Sequence, residues 1–256
     1  MPWSAASLVA VAAVTVTAVA CASSGNPPPK VATFCPHEDT RSESAIIASG
    51  ILMRSTEEIM IDGKELSALG AGIKEVLSLI RDDDPRMTRI HARESRYRSG
   101  QVTLGLEPEL EATIVAIVPE RQQTMVRFRT GDKAFDDLNA LLHLRGVEAG
   151  RLPGAALLCF DGRLNVPLAA SLYQMLDNIS YAEANYLGGD GPDVDASEDG
   201  GTWRVVFRDA YGDCPAGCTG EDLYFFTVTG DSVTEVEAAQ ANADPQFVDL
   251  IALVRR

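Results

Sequence analysis

Leu164-Asn165-Val166-Pro167-Leu168 opens, and Leu176-Asp177-Asn178-Ile179-Ser180-Tyr181-Ala182-Glu183-Ala184-Asn185-Tyr186 closes, a stretch that reads as a helix handing directly to a strand. Asn165 stands where a helix cap belongs, and Pro167 is tolerated in a first turn because its missing N–H is needed by no one there. Leu168, Leu172, Met175 and Leu176 recur at helical spacing and form one inner stripe. Residues 179–185 then make a short closing strand at an exposed edge.

Upstream, residues 155–160 are a buried apolar strand, 153–154 a Pro-Gly turn and 147–152 the strand before it. Asp132 is expected to cap a helix over 133–144 with Phe135, Leu138 and Leu142 on one side and Gly146 ending it. Residues 124–129 alternate as another strand. Pro108 suits the first turn of a helix over 107–118, and 101–106 alternates as the first strand. The fold class expected over 99–187 is α+β, a ferredoxin-like βαββαβ sandwich with two helices on one face of an antiparallel sheet, the elements named being one strand and one helix more than that order needs.

The flanks carry weaker patterns. Leu66, Leu69, Ile73, Val76, Leu77 and Ile80 make an apolar stripe along a helix over 64–81, inside an N-terminal α/β segment, 34–98. Residues 45–47 and 58–61 read as short strands. Beyond 188, Trp203-Arg204-Val205-Val206-Phe207 and Leu223-Tyr224-Phe225-Phe226 pair as a β-hairpin, with Trp203, Phe207, Tyr224 and Phe226 available for cross-strand packing.

Residues 8–20 are an uncharged Ala/Val/Thr run, shorter than the roughly 20 residues a membrane span needs, and suit the core of a signal peptide over 1–20. Ala18-Val19-Ala20-Cys21 resembles the bacterial lipobox, which implies lipidation of Cys21. The Ser/Gly/Asn/Pro composition that follows predicts a solvated tether over 21–33. An exported, envelope-held protein is therefore expected. Four further cysteines, Cys35, Cys159, Cys214 and Cys218, favour two disulfides in such a compartment. Three connectivities are open; the short Cys214–Cys218 spacing favours a local bridge, which would leave Cys35 to Cys159.

A formal charge of −15 in 256 residues makes nucleic acid a poor partner, because phosphates demand clustered Lys and Arg. Arg86, Arg89, Arg93, Arg96 and Arg98 do cluster, but acids lie among them and a solvated face is expected. His37, His91 and His143 fall in no metalloprotease pattern, and His143 is expected to be partly buried and structural. Nucleophile elbow, Walker loop and dinucleotide fingerprint are missing from the sequence. Cofactors are not expected. Asp190, Asp193 and Asp195, on a Gly-rich stretch, offer hard oxygen ligands for calcium, with an acidic solvated loop as the plainer expectation.

Two resemblances bear on function. Asp136-Asp137-Leu138-Asn139, Phe160-Asp161 and residues 176–186 resemble the propeptide or inhibitor domain of subtilisin-like proteases, over about residues 100–186. This resemblance implies a ferredoxin-like domain that binds a protease through its last strand, and makes Tyr181, Glu183, Asn185 and Tyr186 partner-binding candidates. Gly212-Asp213-Cys214-Pro215-Ala216-Gly217-Cys218 between its two strands is similar to a C-terminal module of uncharacterised bacterial secreted proteins and lipoproteins, which implies no activity. The expectation is a non-enzymatic binding or interaction protein held by a lipid anchor. The alternatives are a stand-alone protease inhibitor or folding assistant and, third, a paired-carboxylate enzyme.

Overall fold

The computed structural model describes residues 30–33, 35, 41–93, 98–118, 126–149, 152–185, 190–214 and 217–255. The expected signal, Cys21, the tether as far as residue 29, His37, Arg96 and Tyr186 lie outside them; residues 30–33, expected as the end of a solvated tether, instead pack on the domain, with Val31 and Thr33 buried. The elements in chain order are β1 (Lys30–Val31), α1 (Glu43–Ser55), α2 (Gly63–Asp83), β2 (Gln101–Leu106), α3 (Pro108–Ile117), β3 (Val126–Arg127), α4 (Lys133–Leu141), β4 (Gly146–Ala149) and β5 (Ala155–Cys159). They continue with α5 (Val166–Tyr173), β6 (Ile179–Ala184), β7 (Asp193–Asp199), β8 (Thr202–Tyr211), β9 (Gly220–Thr229), β10 (Ser232–Val236), α6 (Ala238–Ala241) and α7 (Pro245–Val254).

Two antiparallel four-stranded sheets organise this α+β chain, one in the order β4-β5-β2-β6 and the other β10-β9-β8-β7. In the first, Val102, Leu104 and Leu106 point to one face because side chains alternate along a strand, and there they meet Leu158, Leu110, Ile114, Phe135 and Tyr173. That core therefore joins the sheet to α3, α4 and α5. The helix starts follow the caps: Asp132 Oδ1 accepts from Phe135 N (3.0 Å), and Asn165 Oδ1 from Leu168 N (3.3 Å). β3 departs from expectation, since it joins β1 in a separate two-stranded ribbon instead of the main sheet.

The second sheet is a meander, longer than the expected hairpin. Its β8-β9 hairpin has the expected aromatic packing, with Phe207 and Phe226 edge to face at 5.8 Å. One face carries Val194, Ala196, Val205, Phe207, Phe226 and Val228 against Ile47 of α1 and Ile73, Val76 and Ile80 of α2. The other carries Val206 and Phe225 against Phe247, Leu250 and Val254 of α7. Segments far apart in sequence thus share one core, because neither the sheet nor the α1–α2 pair buries its apolar face alone.

Three local expectations are corrected. Residues 45–47 lie in helix α1, not a strand: Ser42 caps it, accepting from Ala45 N at 3.3 Å, and Ile47, Ala48 and Leu52 fall on one helical side. His143 is exposed at the end of α4, where it takes a left-handed conformation (φ 56°). It does the job a terminal glycine does elsewhere, and Gly146 instead begins β4. The stretch expected as an acidic solvated loop becomes β7 from Asp193 onward, with Asp193 and Asp195 each 2 % exposed.

Both disulfides form as spacing favoured, Cys35–Cys159 and Cys214–Cys218. The first ties the N-terminal segment to β5. Among the described residues, no helix is long and apolar enough to cross a membrane.

Candidate functional site

β7 is the edge strand of its sheet, so half of its backbone groups point away from β8. Asp193 and Asp195 deal with two of them: Asp193 Oδ1 accepts from Val194 N (2.9 Å) and Asp195 Oδ1 from Ala196 N (2.9 Å). The same carboxylates take arginines. Arg93 N and Nε donate to Asp193 at 3.1 and 3.2 Å, and Arg54 Nη2 reaches Asp195 at 3.2 and 3.4 Å.

These pairs stand at a cleft of ≈ 50 Å³ between α1, residues 92–93 and β7. Its walls supply Arg41, Arg54 and Arg93, the two aspartates, Ser49, and apolar Ile46, Ile47, Ala92 and Val194. Helical spacing sets the α1 contribution, because 46, 50 and 54 follow one another at i, i+4, i+8 along one face. Gly50 leaves the room for Arg54 to fold back along that face: a Cβ there would stand 3.1 Å from Arg54 Nη1. Glu43 fixes the facing wall, accepting from Ala92 N (2.9 Å) while Arg81 of α2 forks onto it at 2.8 and 2.9 Å. Burial pushes the Glu43 carboxyl up, but the hydrogen bonds from Arg81 and Ala92 outweigh it and leave the group below its usual range.

Ser49 is 1 % exposed, lines the cleft, and among the described residues its Oγ has no hydrogen-bond partner. Such a buried hydroxyl is uncommon, since almost all buried polar groups in folded proteins are bonded.

Asp190 sits behind this wall. It is forked by Arg208 at 2.5 and 2.9 Å and approached by Arg93 at 3.6 Å, and it accepts from Cys218 N at 3.2 Å. The Arg208 hydrogen bonds hold its carboxyl well below the usual carboxylate range. Of the three calcium candidates, then, Asp193 and Asp195 come together at the cleft and Asp190 lies behind it, each facing guanidinium groups. Among the described residues no cluster of three or more His, Cys, Asp or Glu has metal-binding geometry.

Of the strand candidates, Tyr181 and Glu183 fall on β6, at the edge of the other sheet, and Asn185 directly follows it. Tyr181 is 43 % exposed and lies across Gly105, where a Cβ would meet its ring at 2.1 Å. Glu183 is exposed. Asn185 is turned inward, its Nδ2 donating to Gln101 Oε1 at 2.7 Å. The Gln174 carboxamide covers the outer edge: Ala182 N donates to its Oε1 (2.7 Å) and its Nε2 donates to Ser180 O (3.4 Å).

Ser49, Arg41 and Arg54 carry no local signal in the sequence, because the short apolar run 45–47 fits a strand as well as a helix and the face that gathers these side chains exists only once α1 has formed. The solvated face expected for the arginine cluster fits Arg86 and Arg89, which are exposed, but not Arg93, whose side chain is 18 % exposed. Asp-Val-Asp-Ala carried a usable signal, since its period of two puts both acids on one side of a strand. No family model, curated protein or solved structure matches the chain.

Proposed function

We propose that this is an exported, non-enzymatic binding protein, held at a bacterial envelope by a lipid on Cys21, whose ligand enters the cleft between α1 and β7. The carrying observation is the cleft itself, lined by arginines, aspartates and apolar side chains together with a buried hydroxyl that has no hydrogen-bond partner among the described residues. A third reading, a paired-carboxylate enzyme, needs an acid or base free to move a proton. Asp193 and Asp195 instead each hold a backbone amide and a guanidinium. The two disulfides suit the oxidising compartment that export implies.

Support for the ferredoxin-like reading of the middle region is its order of strands. Numbered within the unit, β2, β4, β5 and β6 lie as 4-1-3-2, every neighbour is antiparallel, and α3, α4 and α5 share one core with the sheet. The inhibitor reading draws on β6 being an edge strand, which is where an added strand would pair. Gln174 already occupies the Ser180 and Ala182 edge groups, so that reading ranks second.

The test is a melting-temperature screen of the intact protein against small anions, cations and neutral compounds, with Ala92→Leu, whose longer side chain fills the cleft, as control. At least one compound is expected to raise the melting temperature of the natural protein and not of Ala92→Leu. A screen with no such compound overturns cleft binding. Inhibition of a subtilisin-like protease at micromolar protein would restore the second reading. Mass spectrometry of the chain from its own envelope tests the anchor, with an acylated N-terminal Cys21 expected and an unmodified one refuting it.

A further inference from the structure

Resting on the lipid-anchored reading, we infer that the outer face of the β1–β3 ribbon seats the domain on the anionic phospholipid headgroups of the membrane that carries the anchor, with Lys30, Arg127 and Arg129 as the contacts. Alternation places these side chains. Val31 and Phe128 are buried in the first core, so their neighbours along each strand point outward. Lys30 and Arg127 are register partners, which sets them side by side on one face of the ribbon, and all three cations are exposed. Among the described residues, none of the three has a side-chain hydrogen bond or an ion pair.

Like charges directly opposite each other destabilise a strand pair. Carboxylates of the surrounding segments do not relieve that repulsion, because they are engaged elsewhere. Asp136 is buried and accepts from Thr130 N and Gly131 N at 2.9 and 3.1 Å, and Asp137 pairs with Lys133. Asp161 is shared by Arg145 and Arg163 at 2.9 and 3.2 Å, and Arg145 itself stands beside β1, its carbonyl accepting from Ala32 N at 2.9 Å. An anionic surface supplies the missing counter-charge.

Position relative to the anchor selects the membrane as that surface. Only residues 22–29 separate Cys21 from Lys30, a contour of at most about 30 Å. The formal charge of −15 turns the rest of the domain away from anionic lipid. Each Lys or Arg at such a surface favours contact by roughly fivefold, so three could not hold an acidic domain there unaided. The anchor removes that difficulty, since a tethered patch meets the surface at high effective concentration and has only to orient the domain.

The chain from Cys21 onward tests this when coupled through Cys21 to a maleimide lipid in vesicles, the other four cysteines being held in disulfides. The vesicles are phosphatidylcholine with or without phosphatidylglycerol. Acylation by an amine-reactive ester, read by mass spectrometry, reports on Lys30 at the ribbon and on Lys64 and Lys74 of α2, all exposed. Lys30 is expected to react about fivefold or more slowly on the anionic vesicles, Lys64 and Lys74 equally on both, and about 1 M salt to abolish the difference. Arg127→Gln combined with Arg129→Gln removes exposed charges that bond nothing, so the melting temperature is expected to hold while Lys30 loses most of its protection.

Equal Lys30 rates on the two kinds of vesicle, equal slowing of Lys64 and Lys74, or protection that survives in the double variant overturns the inference. Coupling to the maleimide lipid does not depend on natural acylation. An unmodified Cys21 in the envelope would therefore refute the anchor, and the vesicle rates separately decide the ribbon.

Discussion

Replacing Arg208 by methionine removes the most heavily bonded side chain of the second sheet while keeping an unbranched apolar stem of similar length. Arg208 is 5 % exposed and donates to Asp190 at 2.5 and 2.9 Å, to Glu221 at 2.7 Å, and to the carbonyls of Gly191 and Val254 at 3.1 and 3.4 Å. Deleting one member of a buried ion pair typically destabilises by about 3–5 kcal/mol, because the remaining charge is left without compensation. Here the carboxylates keep 24 % and 25 % of their side-chain exposure, and Glu221 retains Arg255 at 2.5 Å. Water and the second arginine therefore screen part of the loss, which leaves about 2–4 kcal/mol.

Urea denaturation followed by tryptophan fluorescence reads this directly, with the midpoint expected to fall by about 1 M at unchanged slope. Asp190→Asn in both backgrounds should give a coupling of about 1–3 kcal/mol. The loss should also reach the disulfide loop, which is tied to Asp190 through Cys218 N (3.2 Å) and through the bond from Asp190 N to Cys214 O (3.0 Å). Faster hydrogen exchange at the Cys218 amide is expected in Arg208→Met. A destabilisation under about 1 kcal/mol, or additive single variants, would refute the network account.

Acid should unfold the protein partly through Asp190. Arg208 lowers its folded pKa below the unfolded value of about 3.9, so its stabilisation is complete above that value and fades as pH falls toward the folded one. Urea midpoints between pH 6 and 2 should decline from about pH 5 downward, and Asp190→Asn should flatten that decline. Asn165→Ala should cost about 2 kcal/mol, measured by chemical denaturation. Asn165 caps α5 and its buried Nδ2 lies 3.3–3.5 Å from the carbonyls of Met53, Thr56 and Glu58. Asn165→Asp keeps only the cap and should stay destabilised. His143→Gly should raise stability by about 0.5–1 kcal/mol in thermal melts, since glycine takes the left-handed conformation without a Cβ penalty.

Local chemistry made much of the first sheet legible. Asp132 and Asn165 announce helix starts, Pro108 and Pro167 sit in first turns, and Val102, Leu104 and Leu106 show the period of a half-buried strand. Each signal depends only on neighbours a few residues away. Residues 45–47 misled because a short apolar run fits helix and strand alike, and only the Ser42 cap and the α2 and sheet surfaces it meets decide the matter.

The sequence by itself determined the class of the fold, the helix caps, the cysteine arithmetic and the β8-β9 hairpin, all of which rest on periodicity or short spacing. Tertiary structure alone decided that α1 and α2 cover a sheet more than a hundred residues downstream, and that β3 leaves the main sheet for β1. It also decided the cleft. Ser49 and Arg54 meet Asp193 and Asp195 only after an amphipathic helix and an edge strand have buried their apolar sides together, and nothing local in either segment encodes that meeting.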